Sequence, residues 1–197
     1  MEFLRYLTIA LFGICCMSEI VISLISAINR STVSSSGADR FSFLIVWLST
    51  IPPLLFAFLI QKHSLVSNEL GSFSTRFPFL SYFGCFCLAF GVTIRLLAVA
   101  TLKQQFTTNV SILEKHKIIE TGIYRIIRHP AYLGYLMSLL GIGLILGNWL
   151  GLIALVVLPF LGILYRIHVE ERVLLNYFGS AYQEYANRTK RLLPGIW

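Results

Sequence analysis

Four stretches of this sequence, residues 3–28, 41–61, 77–102 and 132–167, are each long and apolar enough to cross a lipid bilayer. A spanning helix needs about 20 mostly apolar residues to cover about 30 Å of hydrocarbon. In that solvent the backbone amides must be satisfied inside the segment, which a helix does. The last stretch is too long for one span. Its middle reads Gly147-Asn148-Trp149, which splits it into two short helices joined by a tight hairpin. The expected fold is an all-α polytopic membrane bundle of about five transmembrane helices.

Composition supports the same solvent. The chain has 197 residues, 56% hydrophobic and 13% charged, with mean hydropathy +0.76. A soluble domain carries about 25% charged residues, so too little polar surface remains to coat a water-soluble globule. The first stretch reads as an uncleaved span: its apolar run is longer than a signal core and no small-residue cleavage site follows. Cys15, Cys16, Cys85 and Cys87 lie inside apolar runs without metal-site flanks, and read as small apolar side chains.

The net charge of +7 reads as cytoplasmic retention of Lys and Arg and contact with anionic head groups, not as nucleic-acid binding. Of the 16 lysines and arginines, Arg5, Lys62 and Arg76 fall on one face and Arg95 within the third span; the others share the face of the 103–131 loop. The positive-inside rule then puts the amino terminus outside and the carboxyl terminus in the cytoplasm. Glu19 and Arg95 sit within spans, where a charge costs about 3 kcal/mol or more at mid-bilayer. Glu19 reads as facing a wet helix interface, and Arg95 as snorkelling toward the cytoplasmic end.

Polar groups able to do chemistry crowd into the second half, in residues 114–135 and from Arg166 through the tail. Gly122 suits a turn. Pro130 pushes His129 out of helical angles and suits a first helical position, so a helix should start there with His129 at its cap. The amides of Ala131 and Tyr132 would then point out of a helix start, a natural seat for a carboxylate or phosphate. Read singly, Arg125, Arg128 and His129 are equally interfacial anchors, and Tyr132 and Tyr135 equally belong to an aromatic belt. Arg166 and Glu170 share one helix face, as a local ion pair would, whereas Glu171 points elsewhere, toward solvent. Gly179 ends a helix, and Ser180 with Gln183 has the spacing of a capping box. The short segment that follows carries Tyr182 and Tyr185 on one face, to lie on the membrane or roof a site.

Several of these pieces recur together in a known order: His116-Lys-Ile-Ile; Gly122-Ile-Tyr124; Arg128-His-Pro-Ala-Tyr132-Leu-Gly134; Arg166-x-x-x-Glu170-Glu171-x-x-Leu174; Phe178-Gly179-x-x-Tyr182-x-x-Tyr185; and Arg191-Leu-Leu-Pro194. Over residues 91–194 the chain thereby resembles the isoprenylcysteine carboxyl methyltransferases, and more broadly the phospholipid methyltransferases, both families of membrane enzymes. The resemblance implies methyl transfer from S-adenosyl-L-methionine in a cytoplasmic pocket formed by the 103–131 loop and the tail. It implies cofactor contacts from His116, Lys117, Ile118, Ile119, Tyr124, His129, Pro130, Ala131, Tyr132 and Glu170. It implies that Arg166 contacts the substrate carboxylate, making Arg166 and Glu170 the catalytic pair. Asn109 stands where the family has a cofactor-binding glutamine. Residues 1–76 would then supply the first two spans, and 77–197 the catalytic region.

The resemblance implies a lipophilic small molecule or prenylated peptide as acceptor, with membrane lipids as surroundings; no nucleic acid or metal is expected. A carboxylate with a pKa near ~4 is ionised at neutral pH and attacks a sulfonium methyl without a general base. Alternatives are a phospholipid amine or a small lipophilic thiol or hydroxyl as acceptor, an NADPH-dependent membrane reductase, and a non-catalytic scaffold or transporter. A soluble methyltransferase is excluded: the one G-x-G, Gly141-Ile-Gly143, lies inside an apolar span. All of this requires the 124–132 segment and the 166–170 helix end to meet in one pocket.

Overall fold

A computed structural model of the chain describes residues 2–30, 39–63, 73, 77–108 and 117–193. Among them are six α-helices: α1 (Glu2–Arg30), α2 (Asp39–His63), α3 (Phe79–Leu102), α4 (Pro130–Leu146), α5 (Trp149–Phe178) and α6 (Ser180–Arg188). Four are long and apolar enough to span a membrane, and α4 is a shorter apolar helix. Large apolar side chains such as Phe83, Phe86 and Phe90 face outward, as they must where the solvent is lipid.

The hairpin falls at Gly147-Asn148. Gly147 closes α4 in a left-handed conformation, φ +70°, which glycine adopts without a Cβ penalty. Asn148 then caps α5, its side chain accepting from the amides of Leu150 at 2.9 Å and Gly151 at 3.1 Å. The Gly147 carbonyl accepts from the Phe73 amide at 2.8 Å, and the Phe73 ring packs on Trp149. The two halves are unequal, contrary to the expectation of two short helices. α4 has 17 residues and α5 has 30, because α5 continues through its polar end to Gly179, whose φ is +56°.

Helices in lipid gain no hydrophobic energy from one another, so close backbone approach matters. α3 packs chiefly on α4 and α2 on α5, while α1 leans on α3. At the α3–α4 crossing, a Cβ on Gly91 would lie 2.6 Å from the Gly134 carbonyl, and one on Gly134 equally close to that of Gly91. Gly84 and Gly141 oppose each other in the same way. The Gly141-Ile-Gly143 stretch is thus a packing surface. Within the helices, Thr8, Thr93 and Thr101 return their hydroxyls to carbonyls four residues back.

Two expectations about charge and capping change. Arg95 does not snorkel: its Nη2 donates to Glu19 Oε2 at 2.9 Å and its Nε lies 2.6 Å from Oε1. A partner on α1 neutralises it more cheaply than a long reach to the interface. The capping box is not formed. Gly179 occupies the cap of α6 with no side-chain cap bond, and Gln183 bonds to Asn187 instead. The four cysteines are free thiols, and no group of potential metal ligands occurs among the described residues.

Candidate active site

The site is built around the start of α4. His129 takes the cap, with φ −123° and ψ 55°, and Pro130 is the first helical residue. The His129 carbonyl accepts from the amides of Tyr132 and Leu133. The Tyr132 amide is therefore engaged inside the turn rather than pointing outward, and the Ala131 amide has no backbone acceptor among the described residues. Arg95 reaches this turn from α3, its Nη1 donating to the Ala131 carbonyl at 3.0 Å.

One turn of α5 meets this helix start. The Tyr132 hydroxyl accepts from Arg166 Nε at 2.7 Å and donates to Glu170 Oε2 at 2.6 Å. It thus links the two groups as well as sharing their helix contact. Arg166 is almost fully buried, at 4% exposure. Its Nη1 donates to Ser42 Oγ of α2 at 3.0 Å and its Nη2 to the Thr108 carbonyl. Thr108 is in turn held by Ser26 of α1, through its amide at 2.7 Å and its hydroxyl at 2.8 Å. A buried guanidinium bonded to three separate elements has a fixed direction, the condition for orienting a reactant.

The tail closes the other side. The Arg128 amide donates to the Lys190 carbonyl at 2.7 Å, and the His129 amide to that of Arg191 at 3.0 Å. Glu171 was read as solvent-facing; it is instead a half-sequestered hub. It accepts from Arg128 Nε at 2.8 Å and Arg191 Nε at 2.9 Å, and lies 3.4 Å from His129 Nε2. Its partners lie 43 and 20 residues away, so helical spacing holds no trace of them. Tyr185 donates to the Tyr124 carbonyl at 2.8 Å. Burial pushes the phenols of Tyr124, Tyr182 and Tyr185 well above their ordinary pKa, so each stays protonated at neutral pH.

Glu171→Gln removes the charge that Arg128 and Arg191 share. Charge-assisted hydrogen bonds contribute about 1.5–3 kcal/mol, so we expect a melting temperature lower by several degrees and faster proteolysis within α6. Equal melting and equal cleavage would refute this role.

A cavity of about 910 Å³ joins these groups. Its polar end is lined by Lys117, Ile118, Ile119, Tyr124, His129, Ala131, Tyr132, Arg166 and Glu170, all of them expected site residues. Pro130 is buried without lining it, and Asn109 and His116 lie outside the described residues. The same cavity continues between apolar walls: Phe12 and Ile20 of α1, Trp47 and Leu54 of α2, Leu139 and Ile142 of α4. The segments around Tyr124–Tyr132 and Arg166–Glu170 therefore do meet. Glu19 and Arg95, read from the sequence as facing a wet interface and as snorkelling, line the space as well. So does Tyr182, whose buried hydroxyl finds no partner among the described residues.

The family model described as the isoprenylcysteine carboxyl methyltransferase (ICMT) family matches residues 83–176. Protein-S-isoprenylcysteine O-methyltransferase A of Arabidopsis thaliana is 33% identical over 186 residues, covering 91% of this chain and 87% of that protein. Form B of the same plant is 30% identical, covering 87% and 81%. A probable protein-S-isoprenylcysteine O-methyltransferase of Oryza sativa subsp. indica is 38% identical over 120 residues, and the match spans 63% of its length and 60% of this chain. Among solved structures, that of the eukaryotic intramembrane Ras methyltransferase ICMT superposes with a TM-score of 0.61 at 25% identity, over 74% of this chain and 53% of the other. With its apolar spans, this makes the molecule a multi-pass integral membrane protein. By the extent of these matches and the shared fold, the chain belongs to the isoprenylcysteine carboxyl methyltransferase family.

Proposed function

We propose that this protein transfers a methyl group from S-adenosyl-L-methionine to the carboxylate of an isoprenylcysteine-like, lipophilic acceptor. The observation that carries the reading is the single cavity running from apolar membrane-level walls to the Arg166–Tyr132–Glu170 cluster. A soluble, zwitterionic cofactor and a greasy acceptor need different walls, and here both kinds bound one space.

The donor set at the polar end suits such a cofactor. Glu170 offers a carboxylate acceptor, Lys117 a cation, and the first turn of α4 a backbone amide at Ala131. When bound, the cofactor would supply an electron-poor methyl on sulfonium; its passage to an acceptor carboxylate oxygen would break the S–CH3 bond and leave a neutral ester and a neutral thioether. Arg166, held by Tyr132, Ser42 and Thr108, orients that carboxylate. It must not grip it much more tightly than the transition state, because the negative charge is lost as the ester forms. The docked tail, through Glu171 and Tyr185, excludes water from the meeting point and raises the strength of each polar contact.

In this reading residues 77–197 hold the polar pocket, and α1 and α2 wall the acceptor arm. Neither of these two helices makes its main contact with the other, so a lipid tail can enter between them from the bilayer. The basic end of the molecule, with the tail and the polar pocket, lies on the cytoplasmic side. Trp47→Ala should raise KM about tenfold for acceptors with a prenyl tail, given about 25 cal/mol per Å² of lost apolar contact. It should leave KM for the cofactor unchanged. Equal KM values for tailed acceptors would exclude this route.

The experiment that tests the function is titration of purified protein with labelled S-adenosyl-L-homocysteine, followed by a panel of prenylcysteine and lipid acceptors. Binding of that nucleoside but not of NADPH, with base-labile methyl on the prenylcysteine, is expected. Preferential methylation of a phospholipid amine would overturn the acceptor assignment, and lack of any nucleoside binding would overturn the enzyme class.

A further inference from the structure

The helix that closes the site carries a hydroxyl no part of the described protein uses. Tyr182 is 4% exposed, its oxygen is sealed from solvent, and no donor or acceptor among the described residues reaches it. Buried hydroxyls nearly always find a partner, because an unmade hydrogen bond in the interior is costly. Tyr185, on the next turn of α6, obeys that rule by donating to the Tyr124 carbonyl at 2.8 Å. The rings of Tyr182 and Tyr185 meet edge to face with centroids 6.0 Å apart. Swinging Tyr182 away would forfeit that packing. It lines the large cavity together with Tyr124, Arg128 and Glu170.

We propose that the Tyr182 hydroxyl donates a hydrogen bond to a neutral lone-pair acceptor on the nucleoside part of the methyl donor, a ribose oxygen or an adenine nitrogen. This rests on the methyltransferase reading above and adds a contact to it. The phenol is a donor at neutral pH, since burial and the nearby carboxylates of Glu171 and Glu170 hold its proton on. The start of α4, with the Ala131 amide, is the seat for the cofactor's amino-acid carboxylate, which leaves the nucleoside for this hydroxyl. The cofactor's ammonium group has no lone pair to offer. The nucleoside oxygens and nitrogens remain.

A functional hydroxyl without a partner in the free protein leaves a distinctive pair of signatures. Tyr182→Phe keeps the ring and its contact with Tyr185, and removes the stranded group. The free variant should melt at the wild-type temperature or above it. It should bind S-adenosyl-L-homocysteine about fivefold more weakly, the worth of one neutral hydrogen bond. 5′-Methylthioadenosine, which keeps the nucleoside and lacks the amino acid, should weaken by the same factor in displacement of the labelled ligand. Unchanged affinity for S-adenosyl-L-homocysteine overturns the proposal. So does a loss confined to that ligand and absent with 5′-methylthioadenosine, and so does a free variant that melts well below wild type. If the wild type binds neither compound, the methyltransferase reading falls and this inference with it, a result distinct from a wild type and variant that bind alike.

Discussion

Replacing Arg166 by leucine will lower kcat/KM for a prenylcysteine acceptor about 100-fold, the equivalent of about 3 kcal/mol of lost charge-assisted bonding and alignment. The side chain is isolated from water and donates to Tyr132, Ser42 and Thr108. Leucine fills part of the volume and supplies none of those donors. The Tyr132 hydroxyl loses the N–H it accepts from, and Glu170 loses a nearby cation. A stability cost is therefore certain, and activity alone does not separate fold from chemistry. Two comparisons do. Arg166→Lys keeps the charge and loses the planar fork, and should recover about tenfold in kcat/KM over leucine, one charge-assisted bond being worth about 1.5–3 kcal/mol. An amine acceptor gains nothing from a cation beside it, so any amine methylation should be spared by the leucine variant after correction for folded protein. Equal losses on carboxylate and amine acceptors would show that Arg166 only holds the helices together.

Local signals in the sequence were legible; long-range ones were not. Pro130 after His129 marked the start of α4, Gly147-Asn148 marked the hairpin, and Gly179 marked the end of α5. Each depends on the backbone preferences of a few consecutive residues. The meeting of Tyr132 with Arg166 and Glu170 followed from motif order, not from spacing, because those residues are 34 and 38 apart. Glu171 shows the limit. On a helix read alone it faces away from Arg166 and Glu170, and that direction is solvent until the tail folds back over it. Arg191 and Arg128 reach it from segments that share no periodicity with α5. The Glu19–Arg95 pair was hidden for the same reason: Glu19 was read as facing a wet interface and Arg95 as snorkelling, and only the α1–α3 contact brings the two charges together. The Ser180–Gln183 spacing, a real local signal, lost to Gly179, which had already taken the cap.

Gly134→Leu will leave little or no folded protein. Gly134 and Gly91 face each other across α3 and α4, and a Cβ at Gly134 would sit 2.6 Å from the Gly91 carbonyl, 2.7 Å from the Arg95 amide and 2.9 Å from the Arg95 Cβ. All three are backbone or the root of a side chain, so none can swing aside. The helices must separate, and Gly84–Gly141 on the same face must open with them. Overpacking by a single methylene in a dense interior costs about 1–3 kcal/mol, and leucine adds four carbons where one already clashes. The damage reaches the site, because Arg95 holds the Ala131 carbonyl at the start of α4 from this crossing. Gly134→Ala is the graded test: it gains about 1 kcal/mol of helix propensity against the clash, and should still melt well below wild type. The control is Gly13 on α1, where an added Cβ meets nothing within 4 Å; Gly13→Leu should fold and methylate as wild type does. Melting curves of the three variants in detergent decide it. Were Gly134→Leu as stable as Gly13→Leu, the close crossing would not be what positions the helix start on which the site is built.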